Sequence, residues 1–419
     1  MTAPTLISWN LTRVCNLACG HCYLDAVQRK NQATNELSTE EALAVLGDLG
    51  GFADGAMIVL TGGEPLLRRD LEQLVAAASA QGLMPVIGTN GTLLSPERAI
   101  RLREAGAVGV GISIDSVRPE FHDRLRGQDG AWRRAMAGIT AAREAGLAVQ
   151  VQMSLFRENL KDIVDVADLA EANGALALNL FFLVCTGRGV SQTDLTEEEY
   201  EETLDFILRL QTRRKNLMVR ARCAPYLRRM AGLHAGETRD GYAEWSGACL
   251  AGRSYFRITP EGDVTPCPYI PQAVGNVRTA DASALWRDSE TFRRLRRDVP
   301  GGKCGQCDYR LSCGGCRARA LATSGDLMGE DAKCGYVKPA DALPEMLLQE
   351  RRDTLDWAPD AEQILARIPG FVRARVRGMV EKKARAAGVE IVTAEFMARH
   401  RPPGIVPASV MARFMGGKP

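Results

Sequence analysis

The chain lacks any apolar run of the ~18 residues that a membrane-spanning helix needs, which argues against the helical membrane classes. It lacks an excess of either charge. Lys and Arg number 53 against 51 Asp and Glu, a net +2, so no global field singles out nucleic acid as a partner. Its first residues, MTAPTLISWNLTRVC, lack a charged segment followed by an apolar one, so no signal peptide is visible. A cytoplasmic location follows as an expectation, in a compartment where thiols stay reduced. What is present looks globular: 46% apolar and 25% charged residues leave no room for disordered or fibrous classes. A length of 419 residues predicts two or three units.

Cysteine is abundant, at twelve. In a reducing compartment these are poor candidates for disulfides. Ten fall in two groups: Cys15, Cys19 and Cys22, then Cys249, Cys267, Cys304, Cys307, Cys313, Cys316 and Cys334. Scattered core thiols do not cluster in this way. Cys185 and Cys223 stand between the groups.

Up to about residue 221, short apolar runs alternate with amphipathic stretches. The predicted strands are Leu6–Leu11, Ala56–Leu60, Met84–Gly88, Val108–Ile114, Ala148–Ser154 and Ala177–Leu183. Between them lie helical patterns that open on Ser, Thr or Asp and close on Gly. Six such units in series predict an α/β fold, a partial (β/α)6 TIM-like barrel, although a doubly wound open sheet shows the same alternation. Residues 222–338 are rich in Gly, Pro and Cys. They contain a predicted hairpin with Glu261, Gly262 and Asp263 at its turn, and a run, KCGQCDYRLSCGGC, in which metal must do the cross-linking. Residues 339–356 read as a linker, 357–401 as a small all-α domain broken at Ile368-Pro369-Gly370, and 402–419 as a tail.

Cys15-x3-Cys19-x2-Cys22-Tyr23 follows the first predicted strand. Three thiolates on a short loop can hold three irons of a [4Fe–4S] cube and leave the fourth iron for a ligand. Zinc is the competing reading, with His21 as a fourth donor, but the ring lies inside the loop and has difficulty meeting the same ion. This Cys-x3-Cys-x2-Cys-aromatic loop resembles the signature of radical S-adenosylmethionine (SAM) enzymes. The resemblance extends to other strand ends. Thr61-Gly62-Gly63-Glu64-Pro65 is similar to the glycine-rich loop whose backbone and acid hold the methionyl amino group. Asn90 lies in Thr89-Asn90-Gly91. Ser113 and Asp115 stand where the family places polar cofactor contacts, Ser154 ends strand five, and Leu180 lies where the adenine would rest. Ligand sites of parallel α/β folds gather at such strand ends. The resemblance implies that a reduced cluster splits the sulfonium to give a 5′-deoxyadenosyl radical, fed by a flavodoxin- or ferredoxin-type donor, with no nucleic-acid or membrane partner.

The second group resembles the SPASM extension of the same family, a twitch-like Fe–S domain with auxiliary [4Fe–4S] clusters. One departure is visible: two residues, not the commoner three, separate Cys313 from Cys316. The residue-wise match implies that Cys304, Cys307, Cys313 and Cys334 hold one cluster and that Cys249, Cys267 and Cys316 hold another. Cys223 can supply the missing ligand, or the odd iron stays open. A pair of zinc ribbons is the plainer alternative. Cys185 reads as an ordinary thiol near the barrel mouth.

Three stretches resemble tetrapyrrole enzymes. Leu183-Val184-x2-Gly187-Arg188-Gly189 with Cys223-Ala224-Pro225, and Cys313-Gly314-Gly315-Cys316-Arg317-Ala318-Arg319 with Asp331-x2-Cys334, are similar to haem and haem d1 synthesis enzymes. Trp357–Arg385 is similar to the C-terminal domain of the protochlorophyllide reductase B subunit. The implied substrate is a haem-type tetrapyrrole that loses or oxidises carboxylated arms. Arg373, Arg375, Arg377, Lys382, Lys383 and Arg385 can meet propionates, or can simply form a solvated helix face. His122, one of only four histidines, can lie at a contact or at the surface. Peptide maturation by the same clusters, and a non-catalytic Fe–S or zinc protein, are the alternatives.

Overall fold

The computed structural model describes residues 3–28, 31, 33–184, 188, 194–233, 248–340, 355–366, 368 and 370–400. Cys185, most of the expected linker and the 402–419 tail lie outside them. The chain divides into two compact units, residues 1–344 and 345–419.

The first unit alternates strand and helix in the predicted rhythm. The strands are β1 Leu6–Asn10, β2 Met57–Thr61, β3 Met84–Thr89, β4 Gly109–Ser113, β5 Ala148–Leu155, β6 Ala177–Phe182 and β7 Met218–Arg222. The helices are α1 Thr39–Phe52, α2 Leu71–Ala80, α3 Pro96–Ala105, α4 Pro119–Arg126, α5 Ala131–Glu144, α6 Ile163–Ala172, α7 Glu197–Arg213 and α8 Leu227–Leu233. Local chemistry explains the boundaries. Ser38 and Glu41 close a capping box on α1, and Thr196 with Glu199 does the same on α7. Ser95 caps α3, Pro96 opens it, and Gly106 ends it in the left-handed conformation.

The strand order from β1 to β7 follows chain order and every neighbouring pair is parallel. A doubly wound sheet reverses its order part-way, so the sequential order decides for the barrel-type winding. The sheet stays open, with β7 at one edge and β10 at the other. All six residues of β3 are buried, as a parallel strand covered on both faces requires. β7 is a seventh parallel strand that the six-unit reading did not include.

Part of the Cys-rich region extends this same sheet. β8 Tyr255–Ile258 lies parallel to β1, and β9 Asp263–Thr265 turns back antiparallel to β8. β10 Gly275–Asn276 pairs with β9. The hairpin was legible, but Asp263 opens the second strand and the turn precedes it. Helices α9 Ala282–Asp288, α10 Glu290–Arg297, α11 Gly302–Gln306 and α12 Arg317–Ser324 follow. Phe256 of β8, Trp286 and Phe292 stack with ring centroids 5.2–6.4 Å apart, which fastens α9 and α10 to the sheet.

The second unit holds α13 Pro359–Ala366, α14 Gly370–Ala386 and α15 Ala394–Arg399. It is not all-α. β11 Asp356–Trp357 and β12 Ile391–Val392 pair in parallel. Trp357 donates its indole N–H to Glu381 and stacks under Arg377, whose guanidinium pairs with Glu362. Arg385 pairs with Glu381 one turn earlier. Two of the expected propionate clamps therefore already have carboxylate partners.

Candidate functional site

The Cys15–Cys22 loop leaves the C-terminal end of β1 and is tied down at many points. The Cys15 amide donates to Val27 O and the Val27 amide to Arg13 O, so the loop returns on itself. The amides of Ala18 and Gly20 donate to Arg126 O and Leu125 O at the end of α4. Arg188 reaches Cys19 O with its Nε at 3.0 Å and donates its amide to Cys22 O at 3.1 Å. Cys15 is 7% exposed, while Cys19 and Cys22 are half-buried beside it with Leu17, Ala26 and Ala131. Leu17 N donates to Cys15 Sγ at 3.4 Å, and Arg126 Nη1 approaches Cys19 Sγ at 3.8 Å. Burial pushes the Cys15 thiol up to about 12 and raises Cys19 against the pull of Arg126. Metal binding there must therefore displace protons. Three gathered thiols with N–H donors aimed at sulfur suit an iron–sulfur cube with one open corner.

The Gly62-Gly63-Glu64-Pro65 turn was expected to approach a ligand. Its closest approach is to the protein's own chain. Gly63 N donates to Thr12 O at 2.7 Å and Glu64 N to Val14 O at 2.8 Å. A Cβ on Gly63 would stand 2.3 Å from Val14 O, so only glycine lets this turn meet the Cys loop. Glu64 also turns inward. It is fully buried, and its carboxylate accepts from Leu66 N, Asn90 N and Thr89 Oγ1. Burial pushes it up to about 7 against those donors. Pro65 opens a short 3-10 turn. The acid thus braces the end of β3 through three protein donors.

Asn90 does reach the site. Its Nδ2 donates to Asn16 Oδ1 at 2.9 Å and lies 3.9 Å from Cys15 Sγ. Tyr23 is half-buried, accepts from Asn10 Nδ2 at 3.0 Å and meets Tyr269 edge-on at 5.5 Å. Ser113 and Ser154 are half-buried at the ends of β4 and β5. Asp115 differs from expectation: it is fully buried, pairs with Arg126 at 2.6 Å and accepts from Ser154 N at 3.1 Å. Burial alone would raise Asp115, but Arg126 holds it below its ordinary value. Leu180 is fully buried in the core of the first unit. His122 is buried too, and its Nδ1 accepts from the Asp115 amide at 3.2 Å, so it is neither a surface group nor a contact. His21 and Phe156 meet in a T-shaped pair with ring centroids 5.4 Å apart.

The second constellation gathers into two sets. Cys316 is buried with Cys223, Cys249 and Cys267 packed around it. Cys304, Cys307, Cys313 and Cys334 share the other side: each of Cys304, Cys307 and Cys313 either influences or feels Cys334 or Cys313. Burial raises Cys223 and Cys307 to about 11 and Cys316 to about 12. Cys223 has φ 61, a left-handed value that a non-glycine residue rarely adopts, which turns its side chain toward this set. Gly315 needs the same region (φ 67), and a Cβ there would stand 2.9 Å from Cys304 Sγ. Among the described residues no three His, Cys, Asp or Glu side chains converge on a single-ion site. Sequence reasoning missed the roles of Arg126, Arg188, Arg319 and Asp331. Three of them stand in stretches read only for their likeness, and only the fold brings Arg126 and Asp331 to a thiol and Arg188 and Arg319 to a Cys backbone carbonyl.

Residues 9–170 match the Radical SAM superfamily, 249–308 the SPASM iron-sulfur cluster-binding domain, and 357–401 the proto-chlorophyllide reductase 57 kD subunit. A Methanosarcina barkeri protein named AdoMet-dependent heme synthase is 36% identical over 342 residues, 80% of this chain and 97% of the relative. The chain belongs to the radical SAM superfamily. A second AdoMet-dependent heme synthase, from Nitratidesulfovibrio vulgaris, is 38% identical over 354 residues, 82% of this chain and 95% of the relative. Among solved structures, Streptococcus suis SuiB bound to S-adenosylmethionine aligns with TM-score 0.66 at 17% identity, over 80% of this chain and 78% of that one. That likeness bears on the fold. As a radical SAM enzyme with a SPASM domain, the chain uses [4Fe–4S] clusters and S-adenosylmethionine. Among the described residues no helix is long and apolar enough to cross a membrane.

Proposed function

We propose that this enzyme removes or oxidises carboxylated side chains of a haem-type tetrapyrrole in haem synthesis. The observation that carries the reading is the pair of relatives at 36–38% identity, both named AdoMet-dependent heme synthase and both covered over at least 95% of their length. When bound, the cluster and S-adenosylmethionine supply one-electron cleavage of a sulfonium bond and a radical able to take hydrogen from substrate.

The chain's own residues set the geometry. Cys15, Cys19 and Cys22 hold the open cluster, and Arg126 and Asn90 keep polar hydrogens near Cys19 and Cys15. Gly62, Gly63, Tyr23, Asn90, Ser113 and Ser154 border the cofactor. Glu64, Pro65, Asp115 and Leu180 hold that border in place from inside, since the two carboxylates are taken by protein donors. Cys223, Cys249, Cys267 and Cys316 hold one auxiliary cluster, and Cys304, Cys307, Cys313 and Cys334 the other. We place the enzyme in the cytoplasm with a flavodoxin- or ferredoxin-type donor.

The test is anaerobic incubation of the reconstituted enzyme with iron porphyrins that carry propionates. The expected product has lost carbon dioxide and two hydrogens per converted arm, with one 5′-deoxyadenosine formed for each. Porphyrins returned unchanged while the cofactor is still cleaved overturn the substrate and leave the radical chemistry standing. A second reading, peptide maturation, is favoured by the Mycobacterium tuberculosis mycofactocin maturase at 32% identity over 361 residues. Conversion of a precursor peptide in the same assay, in place of the porphyrin, decides for it.

A further inference from the structure

The parallel strands β1–β8 have two unlike faces. On one, Val149, Val151 and Met153 of β5 and Val219 and Ala221 of β7 are buried in the apolar core that the helices complete. The residues that alternate with them are half-buried and mostly polar: Gln150, Gln152 and Ser154 on β5, Arg220 and Arg222 on β7. Strand alternation puts these on the opposite, inner face. In a closed (β/α)8 barrel the inner face is a packed core of branched apolar side chains. A polar inner face shielded from bulk water is costly unless something pairs with it.

Charge on these strands is one-sided. No Asp or Glu stands on β1–β8, whereas Arg220, Arg222 and Arg257 do. Arg257 shares the inner face with Ser8, its partner in register. Arg222 donates Nε to Asn179 Oδ1 at 3.1 Å, and Asn179 donates in turn to Gln150 Oε1 at 2.9 Å. Arg257 donates Nε to Asn10 Oδ1 and Nη1 to Pro268 O at 3.2 Å, 5.8 Å from the centre of the Tyr23 ring. A neutral amide orients a guanidinium without cancelling its charge. β7 and β8 lie at opposite ends of the β1–β8 run. Both nevertheless lead to one thiol set: Arg222 precedes Cys223, Arg257 holds the residue after Cys267, and Cys223 and Cys267 pack in the same cluster. The sheet therefore curves until its two cationic ends meet.

Resting on the reading of a carboxylated tetrapyrrole as substrate, we infer that Arg220, Arg222 and Arg257 on the inner face are its carboxylate-binding residues, holding the arms that are not being converted. A guanidinium fork matches a carboxylate and can hold it by two parallel bonds. A flat macrocycle carries its carboxylates on the rim, and the arginines stand at both ends of the curved face. Val59, Val86 and Phe181 give that face an apolar stretch for the ring. The arginines of the second unit are less suited, since Arg377 and Arg385 already have carboxylate partners.

The test is an anaerobic binding titration of the full reconstituted chain, read by porphyrin absorbance. The probes are an iron porphyrin with four free propionates and the same porphyrin as its tetramethyl ester. Wild type prefers the free acid. Arg220→Gln and Arg222→Gln each weaken binding of the acid by about tenfold, as loss of a charge-assisted hydrogen bond does, and leave the ester unchanged. The double variant loses most of the preference, and Arg222→Lys restores part of it. A purely structural role weakens acid and ester alike, and that result overturns the inference. So does a double variant that binds the acid as wild type does, or a wild type that does not separate acid from ester. Because Arg222 adjoins Cys223, iron is counted first; should Arg222→Gln lose iron, Arg220→Gln decides by the same acid-to-ester ratio. Weaker binding of S-adenosylmethionine with porphyrin affinity unchanged assigns the arginines to the cofactor's carboxylate and also overturns the inference. Wild-type protein that binds neither acid nor ester overturns the tetrapyrrole reading beneath it, before any variant is made.

Discussion

The barrel-mouth loop and the Cys-rich region gather thiols by opposite means. The first takes three from eight consecutive residues and holds them with backbone groups of the neighbouring loop and of α4: Val27, Leu125 and Arg126 carbonyls accept its amides, and the Gly63 turn presses on it from the side. The second takes eight from stretches as far apart as Cys223 and Cys334, and much of what joins them is one buried Arg–Asp pair. A loop shaped without metal can leave one iron bare for a ligand. Sets assembled from distant stretches need every thiol, and metal is part of their cross-linking. On the proposed function, the difference separates the site that binds the cofactor from the sites that carry electrons.

The strongest way to break that comparison is to remove one thiol from each region. Cys19→Ala abolishes 5′-deoxyadenosine formation under strong reductant, a loss of at least about a thousandfold, or roughly 4 kcal/mol of barrier. Cys307→Ala spares part of that cleavage yet stops product. Chromatography of the reaction mixtures measures both. Equal loss of cleavage in the two variants would mean that the regions do not divide the work as described.

Cys223→Ala sharpens the account of the second region. The variant loses about four irons per chain, one cube, by iron and sulfide analysis, and still cleaves the cofactor. Unchanged iron content would return Cys223 to the status of a bystander. In the sequence Cys223 was an open question, because spacing cannot say whether a thiol 26 residues before Cys249 returns to it. The fold adds support through its left-handed backbone and its place beside Cys249 and Cys267, and the iron count decides.

Other parts were legible for a plain reason. Short apolar runs between helical patterns placed six strands within one residue, because burial alone sets those patterns. The thiol groups were legible because spacing is chemistry. Long-range partnerships were not. Nothing local in PEFHDRLR says that Arg126 turns to Asp115 and Cys19, and nothing in the Tyr255–Ile258 stretch says that it extends the barrel sheet beside β1. The glycines of Gly62-Gly63 were marked as places of close approach, and the Leu11–Val14 backbone is one partner they approach.

That last point gives a smaller effect. Gly63→Ala forces Val14 O away from a Cβ and lowers stability by about 1–3 kcal/mol, in the range of overpacking against fixed backbone. Thermal unfolding reads the loss, and retention of the auxiliary irons at low temperature separates it from damage to the Cys-rich region. A melting temperature unchanged within error would show that the turn can shift and that the loop is less firmly preformed than its contacts imply.

The two regions also differ in the sign of their pH dependence. Glu64 braces the barrel mouth with a folded pKa raised by burial to about 7 from 4.5. A raised acid contributes stability that is full below 4.5 and is lost as pH rises through 7, here on the order of 3 kcal/mol. Asp331 braces the Cys-rich region with its pKa lowered, as Arg319 outweighs burial. Its contribution is full above its ordinary 3.8 and is lost only as pH falls below that. Between pH 5 and 7.5, therefore, Glu64→Gln flattens the stability profile of the protein, whereas Asp331→Asn lowers it by a constant amount. Denaturant midpoints at several pH values in that window separate the two shapes. A Glu64→Gln profile parallel to wild type would mean that the Leu66, Thr89 and Asn90 donors keep this carboxylate ionised throughout, and that the barrel mouth is braced by charge in the same way as the Cys-rich region.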